Sequence, residues 1–178
     1  MKKNILLPVI SLIASLCLLL LANLGLSGIA QKNAETTRTQ IMHILLPESE
    51  TFTKEEYTGD DSNIISVHKG ETGYIVETVV YGYADNIRMM VAVDINGKCV
   101  GVMVLEMHET FSLGFNALRD HTFLSQFLGS STTMEVGDTI DAISGATVTS
   151  KAITKSINSA IAFVTGADID SGATEWGA

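Results

Sequence analysis

The chain opens on an uncharged run from Ile5 to Ala30, dominated by Leu, Ile, Val and Ala, long enough for the roughly 20 residues of a membrane-spanning helix. From Gln31 to about Glu56 the pattern turns polar, with Ile41, Met42, Leu45 and Leu46 scattered through it. That predicts a juxtamembrane helix which Pro47 ends or turns. Gly59, Asp60, Asp61, Ser62 and Asn63 form a loop cluster, followed by a short strand at Ile64–His68. Three runs rich in Val, Ile, Tyr and Met predict strands at Tyr74–Tyr81, Ile87–Asp94 and Cys99–Met107. The last two are separated by Ile95-Asn96-Gly97-Lys98, and Asn-Gly between apolar runs is a hairpin signal. Asn116 to Leu128 reads as a helix with Leu118, Phe123, Leu124, Phe127 and Leu128 as buried candidates, stopped by Gly129. A short extended piece, Thr132–Val136, and a Gly137-Asp138 turn precede a last helix. Its stripe is Val148, Ala152, Ile153, Ile157, Ala160, Ile161 and Val164.

Strands and helices in this mixed order, with a hairpin, give an α+β fold with a mostly antiparallel sheet and flanking helices, rather than a doubly wound one. The expected organisation is a transmembrane anchor over 1–30, a juxtamembrane helix and connecting segment over 31–70, a single body domain over 71–166 and a tail over 167–178. Lys2 and Lys3 precede the apolar run, so the positive-inside rule favours a cytoplasmic N-terminus and an extracytoplasmic body. A cleaved signal peptide, with Ser27, Gly28 and Ala30 near a cut, is the competing reading; the run exceeds the roughly 7–15 residues of a signal core, which favours retention. Ala14, Ser15, Ala22, Gly25, Ser27 and Gly28 suit close packing of this helix against other membrane subunits.

Charge and cysteines exclude more than they assign. The net charge is −9, and setting aside Lys2 and Lys3 leaves −11 on the body, which argues against nucleic acid and anionic lipid as partners. Cys17 lies in the apolar run and Cys99 in the body, so no internal disulfide is expected and neither has a CxxC partner. His108 and His121 have no metal-ligand spacing, and no metal is assigned. There is no GxGxxG and no cysteine cluster, so the chain has no nicotinamide or iron–sulfur motif and no catalytic residue of its own.

The stretch with a specific chemical reading is Asp141-Ala142-Ile143-Ser144-Gly145-Ala146-Thr147, directly before the last helix. Gly145 permits a sharp turn and the small residues let a bulky group approach the backbone. A helix start favours a phosphate, so Thr147 can bear a phosphate-linked group. Ser and Thr before a helix are also ordinary N-caps, and on the residues alone both readings stand.

The pattern Asp-x-x-Ser-Gly-Ala-Thr, with Val148-Thr149-Ser150-Lys151-Ala152 after it, resembles the flavinylation motif of the FMN-binding domain in RnfG and NqrC, flavin subunits of two ion-translocating redox complexes. The resemblance implies covalent FMN, joined through a phosphoester to Thr147 and placed there from FAD by a separate Mg-dependent flavin transferase. It marks Asp141, Ser144, Gly145 and Ala146 as the cofactor-binding surroundings. A second segment, His108-Glu109-Thr110-Phe111-Ser112-Leu113-Gly114, resembles the family loop His-x-Glu-Thr-Pro-Gly-Leu-Gly that wraps the ring. Glu109, Thr110, Leu113 and Gly114 match; Phe111 and Ser112 replace Pro and Gly, and the His is displaced by one place. Asp168-Ile169-Asp170-Ser171-Gly172-Ala173-Thr174 repeats the motif four residues before the last residue, Ala178, with no helix after it, and reads as a remnant copy.

The resemblance thus implies an electron-transfer flavoprotein subunit of an Rnf-type complex, single-pass in the cytoplasmic membrane, with other membrane subunits and a flavin transferase as partners. Its protein part holds the flavin, tunes it and limits solvent; a net negative body disfavours adding electrons to the ring. Two alternatives stand beside it: a stand-alone extracytoplasmic flavin shuttle or reductase, and a non-redox anchored binding domain of the same fold.

Overall fold

A computed structural model describes residues 6–108 and 121–167. Contacts divide the chain between Gln40 and Ile41. Helix α1 (Leu6–Leu45) runs for 40 residues without a break through the apolar run and the polar stretch after it. Leu12, Ile13, Leu16, Leu18, Leu19, Leu20 and Leu21 on it are exposed. Among the described residues no helix is long and apolar enough to cross a membrane. The helix stops at Leu45, two residues short of Pro47, where its end was expected, and beyond it Thr53–Glu55 is a strand that the sequence did not signal.

The second unit is built on a five-stranded antiparallel meander, β1 (Thr53–Glu55), β2 (Ile64–Lys69), β3 (Gly73–Tyr81), β4 (Asn86–Asp94) and β5 (Cys99–Met107), in sequential order. The four longer strands fall within one or two residues of the expected bounds. The expected hairpin joins β4 and β5, with Gly97 at φ 82° and Asp94 Oδ1 accepting from the N–H groups of Asn96 and Lys98, each at 2.8 Å.

Strand alternation divides the sheet into two covered faces. On one, Val67, Val76, Val80, Ile87, Met89, Val91 and Val93 pack under the last helix. On the other, Ile75, Met90 and Ala92 lie under Met42, Leu45 and Leu46 at the end of α1 and the adjoining turn. Beyond that apolar patch the same face turns polar: Glu77 is fully buried, accepts a hydrogen bond from Ser66 Oγ at 2.9 Å and is ion-paired with Arg88.

The helix expected over Asn116–Leu128 is described from His121, as the short helix α2 (His121–Ser125) and a turn after it; Asn116 and Leu118 lie outside the described residues. Phe123 and Phe127 are buried and meet edge to face, ring centroids 5.2 Å apart, whereas Leu128 is exposed because the turn swings it off the core. Thr132–Val136 forms no strand; Val136 makes an isolated bridge to Ile140 around the Gly137-Asp138 turn.

Helix α3 (Thr147–Thr165) buries the expected Ala152, Ile153, Ile157, Ala160 and Ile161, and it also buries Thr149, Ser150, Thr154, Ser156, Asn158 and Ser159. The apolar stripe faces the sheet. Some of these polar residues are buried against the sheet and others because the chain between α2 and α3 covers the helix a second time, and those with described partners meet them as hydrogen bonds. Ser156 bonds Thr78 on β3. Asn158 donates to the carbonyl of Met134 at 2.8 Å and accepts from its N–H at 3.0 Å, as a neighbouring strand would. Cys99 is buried beneath this covering segment, and burial pushes its thiol up to about 11, so it stays a neutral, unreactive thiol.

Candidate functional site

Helix α3 runs antiparallel to β3: Phe163 meets Tyr74 near the start of the strand, with ring centroids 5.7 Å apart, and Ser156 bonds Thr78 farther along it. Its N-terminus therefore lies toward the end of the sheet where β3 and β5 both finish. Thr147 and His108, the residue at which the chain leaves β5, share that end of the domain. His108 Nδ1 stands 3.8 Å from Asp85 Oδ2 in the β3–β4 turn. Together with Ile65, Val79, Asn86, Arg88 and Glu106 these two line a cleft of about 390 Å³. Among the described residues no group of three or more His, Cys, Asp or Glu is placed to hold a metal.

The 141–147 loop is held at three points. At its start, Gln126 Oε1 accepts from the Asp141 N–H at 2.8 Å and Gln126 Nε2 donates to the Asp141 carbonyl at 3.2 Å. In the middle, the Ile143 N–H donates to Ser150 Oγ at 3.2 Å. At its end, the Ala146 N–H donates to the Ile143 carbonyl at 2.9 Å and Ser150 Oγ donates to the Ala146 carbonyl at 3.0 Å. Between these ties Gly145 takes φ 79°, a left-handed turn that costs residues with a Cβ roughly 1 kcal/mol or more.

This bonding decides how the motif faces outward. Ala146 is buried and is the N-cap residue, with no side-chain cap hydrogen bond. Thr147 is the first helical residue, and its side chain is exposed, as are those of Asp141 and Ser144. The capping role open to Thr147 on sequence alone is thus absent: it stands one position too far into the helix, and its hydroxyl is free to be modified. The first N–H groups of α3 lack carbonyls one turn earlier, and there is no acidic side chain in the first turn to repel an anion. Lys151, one helical turn on, presents an ammonium on the same face. Small residues, a preset turn, an exposed hydroxyl and a positive helix end form a cradle that fits a phosphate-linked group.

The structure brings Asp141, Ser144, Gly145, Ala146 and Thr147 together in one loop. Glu109, Thr110, Leu113 and Gly114 lie outside the described residues, as does the second motif copy ending at Thr174. Two residues that shape the loop carry no sequence signal of that role. Gln126 is an unremarkable polar residue 15 positions before its partner. Ser150 shows itself only as a polar residue on a helix whose neighbours are buried.

Residues 82–162 match the FMN-binding domain family, a span that starts in the β3–β4 turn and includes the loop and most of α3. The chain is 28% identical over 187 aligned residues to the G subunit of the Na⁺-translocating ferredoxin:NAD⁺ oxidoreductase complex of Acetobacterium woodii, covering 90% of this chain and 89% of that protein. It is 29% identical over 148 residues to the G subunit of the proton-translocating ferredoxin:NAD⁺ oxidoreductase complex of Clostridium ljungdahlii, covering 78% of each.

Proposed function

The chain is an FMN-binding-domain protein of the RnfG type, and from that premise we propose that it carries FMN as a phosphoester on Thr147 and relays electrons as the G-type subunit of an Rnf-like membrane complex. The observation that carries this reading is the tied 141–147 loop, which presents an exposed, uncapping Thr147 hydroxyl at a helix start. FMN supplies one- and two-electron transfer when bound. In the loading step the Thr147 oxygen attacks the FMN phosphorus of FAD. The new O–P bond replaces the pyrophosphate P–O bond, AMP leaves, and the hydroxyl proton is released. The transferase, with its Mg²⁺, catalyses this step. Afterwards the first-turn N–H groups of α3 and the Lys151 ammonium favour the phosphate's charge. Glu109, Thr110, Leu113 and Gly114, which follow His108 in the sequence, are by the family resemblance assigned to the ring.

Co-expression with a flavin transferase followed by a denaturing gel tests this reading. A fluorescent band at the chain's 19.0 kDa is expected, because a phosphoester survives denaturation. A dark band beside a fluorescent control substrate would sink it.

By the same proposal Ile5–Ala30 lies in the membrane with the body outside, supported by the uncharged run and the two lysines before it. The full chain is then expected to stay in the membrane pellet after alkaline carbonate washing. A chain starting at Gln31 is expected in the supernatant, and release of the full chain would refute the anchor.

A further inference from the structure

Resting on the reading of Thr147 as the flavin attachment site, we propose that Gln126 is a positioning residue for flavin loading, holding the motif in the shape that the transferase binds. Gln126 is half-buried, and its amide completes both backbone hydrogen bonds of Asp141, the first residue of the motif, at 2.8 and 3.2 Å. Its backbone is tied beside the core. It stands in the turn after α2, where its N–H bonds the Phe123 carbonyl at 3.2 Å, between the buried Phe123 and Phe127. The far end of the motif is tied separately by Ser150 to Ile143 and Ala146. Among the described residues Asp141 and Ala142 have no such hydrogen bond to α3, so without Gln126 the entry half of the loop is released while its exit half stays fixed. An enzyme that must seat all seven residues then finds the competent shape only in a fraction of molecules. Its apparent affinity falls by that fraction, while the chemistry at Thr147 is unaltered once the loop is bound.

The test is the initial rate of FMN incorporation into the purified, detergent-solubilised full chain, followed by intact mass with FAD, Mg²⁺ and transferase over a range of chain concentrations. Gln126→Ala is expected to raise KM about tenfold or more with kcat and the melting temperature little changed. Gln126→Glu keeps an oxygen to accept from the Asp141 N–H and loses the donor, so its KM is expected between wild type and Gln126→Ala. A Gln126→Ala chain loaded with wild-type KM, a loss confined to kcat, or a Gln126→Glu chain as poor as Gln126→Ala would overturn the positioning role while leaving Thr147 as the attachment site. Failure of the wild-type chain to take up FMN at Thr147 would instead remove the premise and the inference together.

Discussion

Thr147→Ala is expected to abolish covalent flavin on this chain and to leave its stability within about 0.5 kcal/mol of wild type. The separation follows from where α3 begins. Ala146 is the N-cap residue and makes no side-chain cap bond, so removing the Thr147 hydroxyl deletes no hydrogen bond that holds the helix. Ala is the better helix former by a few tenths of a kcal/mol, and the exposed Thr147 side chain leaves no cavity behind. Intact mass after co-expression with transferase reads the first effect and thermal unfolding the second. Thr147→Ser, which keeps the hydroxyl, is expected to retain part of the adduct. A large drop in melting temperature for Thr147→Ala would mean that the residue is structural after all.

The second large effect belongs to the sheet. Arg88→Met is expected to destabilise the domain by about 1–3 kcal/mol, below the roughly 3–5 kcal/mol of breaking a fully buried ion pair because the Arg88 side chain is 37% exposed. Glu77 is fully buried in the middle of β3 and its carboxylate takes the Arg88 guanidinium and the Ser66 hydroxyl. Met has a length close to that of the Arg stem, so the loss reports the missing charge more than missing volume. The double variant Glu77→Leu/Arg88→Met removes both charges and is expected to recover most of the loss. Urea unfolding of the three proteins measures this; a single variant no worse than the double would show that Arg88 contributes nothing to holding Glu77.

These two residues also mark what was legible in the chain. The strands were readable because each carries β-branched residues in a run bounded by turn residues, and Asn96-Gly97 announced the hairpin between β4 and β5. The motif was readable because its seven residues are contiguous. The ion pair was not, since Glu77 and Arg88 stand 11 positions apart and look like ordinary solvated charges until strand pairing sets them on one face. Helix α3 was only half legible. Periodicity finds the apolar stripe under which the sheet lies, but not the buried polar positions: Ser156 meets Thr78 on the sheet, while Asn158 and Ser150 meet the covering chain at Met134 and Ile143. The same holds for Gln126, whose partner is the backbone of Asp141, and backbone partners leave no trace in residue type. Thr53–Glu55 carried no strand signal because three residues give no period, and it is a strand only because β2 offers an edge to pair with.

The measurement that tests the central claim most directly is a tryptic peptide map of the full chain after co-expression with an active flavin transferase. Cleavage after Arg119, Lys151 and Lys155 puts Thr147 in the peptide of residues 120–151 and Thr174 in that of residues 156–178, so the two copies of the motif are read separately. One FMN adduct is expected, on residues 120–151 and localised by fragmentation to Thr147. An unmodified 120–151 peptide, whether the flavin is found on residues 156–178 or nowhere, would contradict the claim.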